Sequence, residues 1–428
     1  MIHYITSHGI GNAWVATELR VMQAKGIPVV LHSLYRPHQN FFGSEWAKQM
    51  DQQTRLLYPL RPFGLLLSVV LAPLLFGSAF WAALANALFG QRESWSARWR
   101  TLAHFLVACH WARELRSQET SLIHSQWAHA SASVGMYAGW LLRVPFSFTG
   151  HGADLFRDRV ALRDKVRRAE FIVCISEFHR QLYLSLGAEP DKLHLVYCGI
   201  DIKQFPQASR TARAANASGL ALRPKRILTV GRLVEKKGLG VLLTACAILK
   251  QRGVPFHLVI AGSGPQEAYL RQRIERLKLT WQVTLTGEAV PQEQLPNLLA
   301  SADIYTQPCV WSSDNDVDGT PRTLMEAMAT GLPCVASRIA GLPEIVNHGR
   351  AGLLVESGSC LELADSLEVL LTHPQIAEQF GKLAREFVER QFEINACLEP
   401  LAALFTRYLD VNECPSLSSE QKLQEVFA

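Results

Sequence analysis

Two stretches of the 428-residue chain concentrate groups able to hold a phosphate. The first is Gly231-Arg232-Leu233-Val234-Glu235-Lys236-Lys237-Gly238, directly after an apolar run at 226–230. Gly231 permits close approach to the backbone, and Arg232 and Lys237 set two cations ahead of the next helix. Arginine clamps a phosphate with two parallel N–H donors, and lysine supplies a compact charge. The second stretch is Asp318-Gly319-Thr320-Pro321-Arg322-Thr323-Leu324-Met325-Glu326. Thr320 suits a helix N-cap and Pro321 the first helical position. The free N–H groups of that helix start form an anion site, strengthened by the helix dipole. Asp318 sits just before it, and Glu326 lies about two turns in, where a carboxylate accepts ribose hydroxyls. Gly262-Ser263-Gly264-Pro265 and Gly287-Glu288 are further turns at strand ends. One such turn says little; several at successive strand ends describe a nucleotide diphosphate site.

The acidic run Asp314-Asn315-Asp316-Val317-Asp318-Gly319 matches the first half of an EF-hand calcium loop. The bidentate glutamate of that loop would fall at Met325, which cannot ligate. The run also fits a D-x-D metal site, but Arg232 and Lys237 already neutralise a diphosphate. No metal and no cofactor are expected.

The elements that hold these groups alternate. Apolar strands at 226–230, 256–261, 283–286, 304–306 and 333–336 enclose helices at 239–250, 266–277, 293–300 and 322–329. Such alternation predicts a parallel, doubly wound α/β sheet with ligands at the C-terminal ends of its strands. The first half shows a βαβ start: a strand at 2–7, the turn His8-Gly9-Ile10-Gly11-Asn12, a helix, and a strand at 29–34. That Gly-x-Gly lacks the third glycine of a dinucleotide fingerprint, so Gly11 reads equally as a plain turn or a ligand loop. His129 precedes a helix in a polar, small-residue stretch. A strand at 145–149 ends in Gly150-His151-Gly152-Ala153-Asp154, where His151 reads as a satisfied loop histidine or a ligand. Ser176 suits an N-cap. Residues 205–224, rich in Ala, Ser, Arg and Asn, read as a linker. The expected domains are 1–204 and 225–390, with 391–428 a helix packing back toward the first domain and then a loose tail.

Residues 62–91 hold no charge. The run is long enough for a span of ~20 residues, yet Pro73 and Gly77 interrupt it, and a span would divide the first sheet across the bilayer. A broken helix or hairpin lying in one leaflet is expected, within an insertion at about 60–116. Arg92, Arg98, Arg100, Arg113 and Arg116 would attract anionic lipid, with Trp81, Trp95, Trp99 and Trp111 at headgroup level. The alternative is a buried helical pair.

The net charge of +5 shows no dense basic stripe, which excludes a dedicated nucleic-acid binder. Nine cysteines form no C-x-x-C pair, zinc pattern or disulfide framework. The N-terminus lacks signal-peptide character, and the compartment reads as cytoplasmic.

Val230 to Gly238 and Asp318 to Pro333 resemble the paired signatures of the retaining glycosyltransferases of GT-B fold, family four. The family's E-x7-E spacing falls on Asp318 and Glu326, with Asp in place of the first Glu and hence a shorter reach. Residues 147–154 and Val196-Tyr197-Cys198-Gly199-Ile200-Asp201 are similar too. The combination resembles bacterial exopolysaccharide transferases of the colanic acid type up to about Tyr408, most weakly at 62–116. The resemblance implies two Rossmann-like domains facing a cleft. Arg232 and Lys237 would hold the diphosphate and Glu326 the ribose. Asp318, with the backbone from Gly319 to Arg322, would face the donor sugar and phosphate. His151 would sit near the transferred sugar, with Gly231, Gly264, Glu288, Thr320 and Pro321 around the donor. Gly11, His129 and Asp154 are the acceptor-side candidates. It also implies a nucleotide-sugar donor, a lipid-linked or polysaccharide acceptor, and peripheral attachment to the inner face of the cytoplasmic membrane. Transfer would retain configuration, with no settled protein nucleophile; the leaving phosphate helps deprotonate the acceptor hydroxyl. The competing readings are a nucleotide-sugar epimerase of the same fold and a membrane-associated binding protein without activity. A nicotinamide oxidoreductase is disfavoured by the missing fingerprint.

Overall fold

The computed structural model describes residues 1–11, 13–37, 45–207 and 223–410. Asn12, most of the linker and the tail beyond 410 lie outside the described residues. The chain divides into two compact units. One comprises Met1–Thr149, Val160–Val173 and the chain from Glu399; the other comprises Gly150–Arg159 and Cys174–Leu398.

In chain order, the first half runs β1 (Ile2–Thr6), α1 (Ala13–Ala24), β2 (Val29–Ser33), α2 (Glu45–Gln53), β3 (Arg55–Leu56), α3 (Pro62–Phe76), α4 (Ser78–Phe89) and α5 (Trp95–Leu115). There follow β4 (Leu122–Gln126), α6 (Ala130–Leu142), β5 (Phe146–Thr149), α7 (Ala153–Phe156), α8 (Leu162–Arg168), β6 (Phe171–Cys174), α9 (Glu177–Ser185) and β7 (Leu193–Leu195). In the first unit the strands lie in the order β3-β2-β1-β4-β5-β6, and the pairs are parallel. β1 and β4 are buried along their whole length, as strands covered on both faces must be. α6 is buried nearly throughout; its Ala, Ser and Gly residues let it lie between α5 and the sheet.

Residues 62–91 form two helices that break at Gly77 (φ 54), with Pro73 inside α3. The expected interruption of the apolar run is therefore present, at Gly77. At 1.5 Å per residue, the 15 residues of α3 reach ~22 Å, short of the ~30 Å apolar core of a bilayer. Among the described residues, no helix is long and apolar enough to cross a membrane. The burial of the pair is inverted relative to an ordinary surface helix. Ser68, Ala72, Ala79, Ala83 and Ala87 face inward, with Phe76 and Phe80 among them. Phe63, Leu66, Val70, Leu74, Trp81 and Phe89 face outward, Leu74 being 83% exposed. The pair is thus not buried core. Two expectations for the flanking sequence are corrected. Trp111 is fully buried, its Nε1 donating to His32 Nδ1 at 3.1 Å, because the 3.6-residue period carries it well around α5 from exposed Trp95 and Trp99. Arg92 is also withdrawn from the surface: its guanidinium pairs with the buried carboxylate of Asp164 on α8 at 2.7 Å.

The second half runs β8 (Lys225–Val230), α10 (Leu239–Gln251), β9 (Phe256–Ala261), α11 (Glu267–Arg276), β10 (Val283–Leu285), α12 (Leu295–Ala300), β11 (Ile304–Gln307) and α13 (Arg322–Ala329). It continues with β12 (Cys334–Arg338), α14 (Leu342–Val346), β13 (Leu353–Glu356), α15 (Cys360–Thr372), α16 (Pro374–Gln391) and α17 (Ile394–Asp410). The sheet order is β10-β9-β8-β11-β12-β13, again with parallel pairs. One core packs α13 residues Leu324 and Met328 under Leu228 and Tyr305. The other packs Leu242 and Leu249 of α10 with Leu367 of α15 against Leu258 and Ile260. This is the doubly wound arrangement expected from the alternation. α13 covers the expected 322–329, but its cap differs: Pro321, at φ −68 and ψ 113, is the N-cap in place of Thr320, rather than the first helical residue. Ser176 caps α9 as expected, accepting from the His179 amide. All eight cysteines among the described residues are free.

Candidate functional site

The end of β8 turns sharply. Val234 leads into one 3-10 turn, Glu235–Lys237, which Gly238 ends in the left-handed region at φ 63. This turn aims Lys236 and Lys237 at the loop before α13. Lys237 Nζ lies 2.5 Å from Asp318 Oδ2, and Lys236 Nζ lies 3.0 Å from both Asp318 Oδ1 and Asp316 Oδ2. Arg157 extends the lattice, 3.0 Å from Asp314 and 3.7 Å from Asp316. Burial works to raise the Asp318 carboxyl, but the two lysine charges win and hold it well below the ordinary carboxylate range. Burial likewise works against the Lys237 charge, and Asp318 holds its pKa above the ordinary value. Asp318 thus faces two lysines rather than standing free. Lys236, which its place in the sequence run did not distinguish from its neighbours, is buried and bridges two carboxylates. Arg232 is exposed.

At the start of α13 the Arg322 side chain is 13% exposed, and Nη2 lies 3.7 Å from Glu326 Oε1. Its Nε and Nη1 are buried without a hydrogen-bond partner. Glu326 also accepts from Gln292 Nε2 at 3.2 Å; burial raises its pKa, against Arg322 and Gln292. A guanidinium with two unspent donors beside the free N–H groups of a helix start is an anion-binding arrangement. Gly231 lies against the Lys237 side chain. Gly264, at φ 159, passes so close to Leu233 that a Cβ would stand 2.6 Å from its carbonyl oxygen. Glu288 is exposed, with its amide near Thr286 Oγ1.

His151 belongs to the same compact unit as these loops. Its amide and that of Gly152 donate to the Asp154 carboxylate at 3.2 and 2.7 Å. Asp154 is buried and turned into its own loop rather than outward. The His151 carbonyl accepts from His179 Nε2 at 3.0 Å. In the first unit, Gly11 closes the turn after β1 by donating to the His8 carbonyl at 3.0 Å. His129 is the N-cap of α6, and its carbonyl accepts from buried Lys165 at 2.9 Å. The residues brought together are therefore Gly231, Lys237, Asp318, Gly319 and the α13 start with Glu326. His179, Lys236, Arg157 and Gln292 were missed; each acts through a partner far along the chain, so no local pattern marks it.

Comparison with known proteins gives the same assignment. The model of "Glycosyltransferase Family 4" matches residues 79–204, and that of "Glycosyl transferases group 1" matches residues 211–387. The GDP-mannose-dependent alpha-(1-6)-phosphatidylinositol monomannoside mannosyltransferase of Mycobacterium tuberculosis is 30% identical over 291 residues, 65% of this chain and 75% of that protein. The chain belongs to the group 1, family 4 glycosyltransferases. Another relative of this glycosyltransferase chain is the amylovoran biosynthesis glycosyltransferase AmsK of Erwinia amylovora, 35% identical over 60% of this chain. The match spans 62% of AmsK's own length. The crystal structure of Anabaena HepE in complex with UDP and glucose superposes with a TM-score of 0.69 at 18% identity, covering 95% of this chain and 99% of that one. That likeness establishes a GT-B fold for the glycosyltransferase described here.

Proposed function

We propose that this chain transfers a sugar from a nucleotide-diphosphate donor to a lipid-linked or polysaccharide acceptor, with retention of anomeric configuration, in cell-surface glycan synthesis. The observation that carries this reading is Arg322. Leaving two buried donors unpaired costs on the order of 1–3 kcal/mol each, and a diphosphate at the α13 start relieves that cost. In the reaction the bond from the anomeric carbon to phosphate breaks and a bond to the acceptor oxygen forms. The acceptor proton passes to the departing phosphate. Arg322, Arg232, Lys237 and the N–H groups of α13 stabilise the charge that develops there, while Glu326 receives the ribose hydroxyls. Asp318 pairs with Lys237 at 2.5 Å and so competes with the diphosphate for its charge. Asp314, Asp316 and Asp318 each sit within ion-pair distance of a cation, which supports metal-independent transfer.

A GDP-hexose is the first donor to test, since one relative is named as GDP-mannose-dependent and acts on a phosphatidylinositol glycolipid. The lipid acceptor fits a further feature. The outward face of α3 and α4 suits one leaflet of an anionic membrane on the cytoplasmic side. Its exposed Leu, Val and Phe side chains gain ~25 cal/mol per Å² on insertion. Trp81, Trp95 and Trp99 are exposed beside them, and Arg61 and Arg100 are exposed at the edge, complementary to anionic headgroups.

Thermal shift with GDP, UDP and ADP tests the donor site, since a ligand held well below its concentration raises stability. At least one of these should raise the melting temperature, and Arg322→Ala should weaken its binding about tenfold, or ~1.4 kcal/mol, without lowering the ligand-free melt. No response to any of the three at millimolar concentration would remove the reading.

A further inference from the structure

His179 lies on α9 and is fully buried. Its ring makes two hydrogen bonds. Nε2 is 3.0 Å from the His151 carbonyl oxygen, and Nδ1 is 2.6 Å from Ser176 Oγ. A carbonyl oxygen only accepts, so Nε2 carries the proton. Nδ1 of the neutral ring then accepts, and the Ser176 hydroxyl donates to it. The same Ser176 oxygen accepts from the His179 amide as the helix cap. One hydroxyl thus fixes both the tautomer and the start of α9. Burial favours the neutral ring, lowering its pKa to about 4.

The same Nε2–Cε1 edge of the ring lies against Gly319. A Cβ at 319 would stand 2.8 Å from His179 Nε2 and 3.1 Å from the His151 carbonyl oxygen, so a side chain there requires the ring to move. Gly319 is held from a second direction, since its carbonyl accepts from the Gly341 amide at 3.0 Å. Three residues on, Glu344 accepts from the amides of Glu177 and Phe178 at 2.8 and 3.1 Å and from Tyr197 at 3.0 Å. The first turn of α9, the turn before α14, Gly319 and the His151 loop therefore close a ring of contacts, with the imidazole edge against both of the last two.

We propose that His179 is a positioning residue, a fixed-tautomer imidazole spacer that sets the His151 carbonyl against the Gly319 backbone at the α13 start. This rests on the reading of those two groups as donor-facing. Its role is in transfer rather than in holding the nucleotide, because the cations Lys237, Arg232 and Arg322 form no hydrogen bond with it. The pair of conditions to satisfy is a donor N–H and a filled volume. Phenylalanine supplies only the second, and glutamine keeps an N–H within reach of the carbonyl.

Steady-state transfer kinetics on the full chain, with titration of GDP and UDP, test this using H179F, H179Q and G319A, with K237A as the control. K237A is expected to lose transfer; K237A with wild-type kinetics would overturn the underlying site reading instead. With K237A impaired, H179F should lower kcat at least tenfold while the Kd for the nucleoside diphosphate shifts less than threefold, and H179Q should recover at least a third of the wild-type kcat. Wild-type kcat in H179F, no recovery in H179Q, or parallel loss of diphosphate binding and kcat each overturns the proposal. If H179F fails to fold, G319A carries the test: its added methyl displaces the ring, and the same kcat loss with diphosphate binding retained is expected. An unchanged kcat in G319A overturns the proposal.

Discussion

The Lys237 ammonium rests against a carboxylate, and that contact decides what each substitution at the site does. Lys237→Ala removes a preorganised charge at the departing phosphate and should cost roughly 2–4 kcal/mol of transition-state stabilisation. Asp318→Asn acts differently. It frees Lys237 for the diphosphate, so the Kd of GDP or UDP should stay level or tighten severalfold while transfer falls. Calorimetric titration beside kinetics separates the two; a D318N variant that loses diphosphate binding in step with transfer would refute the assignment of Asp318 as the partner of Lys237. A second carboxyl belongs to the first unit. Glu18 accepts from Tyr4 at 2.6 Å and from Gln126 at 3.2 Å, and burial raises its pKa to about 7 despite both bonds. A folded-state pKa raised in an acid stabilises the fold fully below the ordinary carboxylate value of ~4.3. That contribution is lost as the pH rises through about 7. Denaturant unfolding of Glu18→Gln should therefore show a flatter fall in stability between pH 5 and 8 than the wild type; identical slopes would refute it. Neither the Lys236 bridge nor the Glu18 network could be read from sequence, because their partners lie 80 and 108 positions away. The motif at Asp318 to Glu326 could be read, because helix-start chemistry and its spacing are local.

Among the elements, α3 and α4 show where pattern suffices and where it stops. The absence of charge, Pro73 and Gly77 specified a broken apolar pair, and the chain does break at Gly77. Periodicity did not reveal which face turns outward, since nearly every position is apolar. In the structure alanine and serine pack inward together with Phe76 and Phe80, while Phe63, Leu66, Val70, Leu74, Trp81 and Phe89 face out. Arg92 likewise reads as a surface cation until Asp164 is seen beside it, 72 positions along the chain. Replacing Leu66, Val70 and Leu74 with glutamate should release the protein from vesicles containing anionic phosphatidylglycerol, as read by co-sedimentation. Nucleotide binding, which the proposed site puts in the second unit, should persist. Wild-type sedimentation of the triple variant, or absence of vesicle binding by the wild type, would contradict the membrane assignment of this face.

For the whole molecule, the alternation of strand and helix was sufficient to give two parallel sheets and the strand ends that carry the loops. The unit boundaries follow a subtler rule, since the chain leaves and re-enters the first unit at Gly150–Arg159 and Cys174–Leu398. Strand count cannot show that, because it depends on which loops pack together. The most direct measurement is transfer itself: purified protein, excess EDTA, labelled GDP-, UDP- and ADP-hexoses, and a bacterial lipid-linked glycan extract, with the anomeric configuration of the product read by NMR. The account predicts label in the lipid fraction from one donor, an unchanged anomeric configuration relative to that donor, and loss of label in Lys237→Ala. Transfer that requires added magnesium or manganese, or inversion at the anomeric carbon, would contradict the proposed mechanism; epimerised donor with no label in any acceptor would contradict the transferase reading altogether.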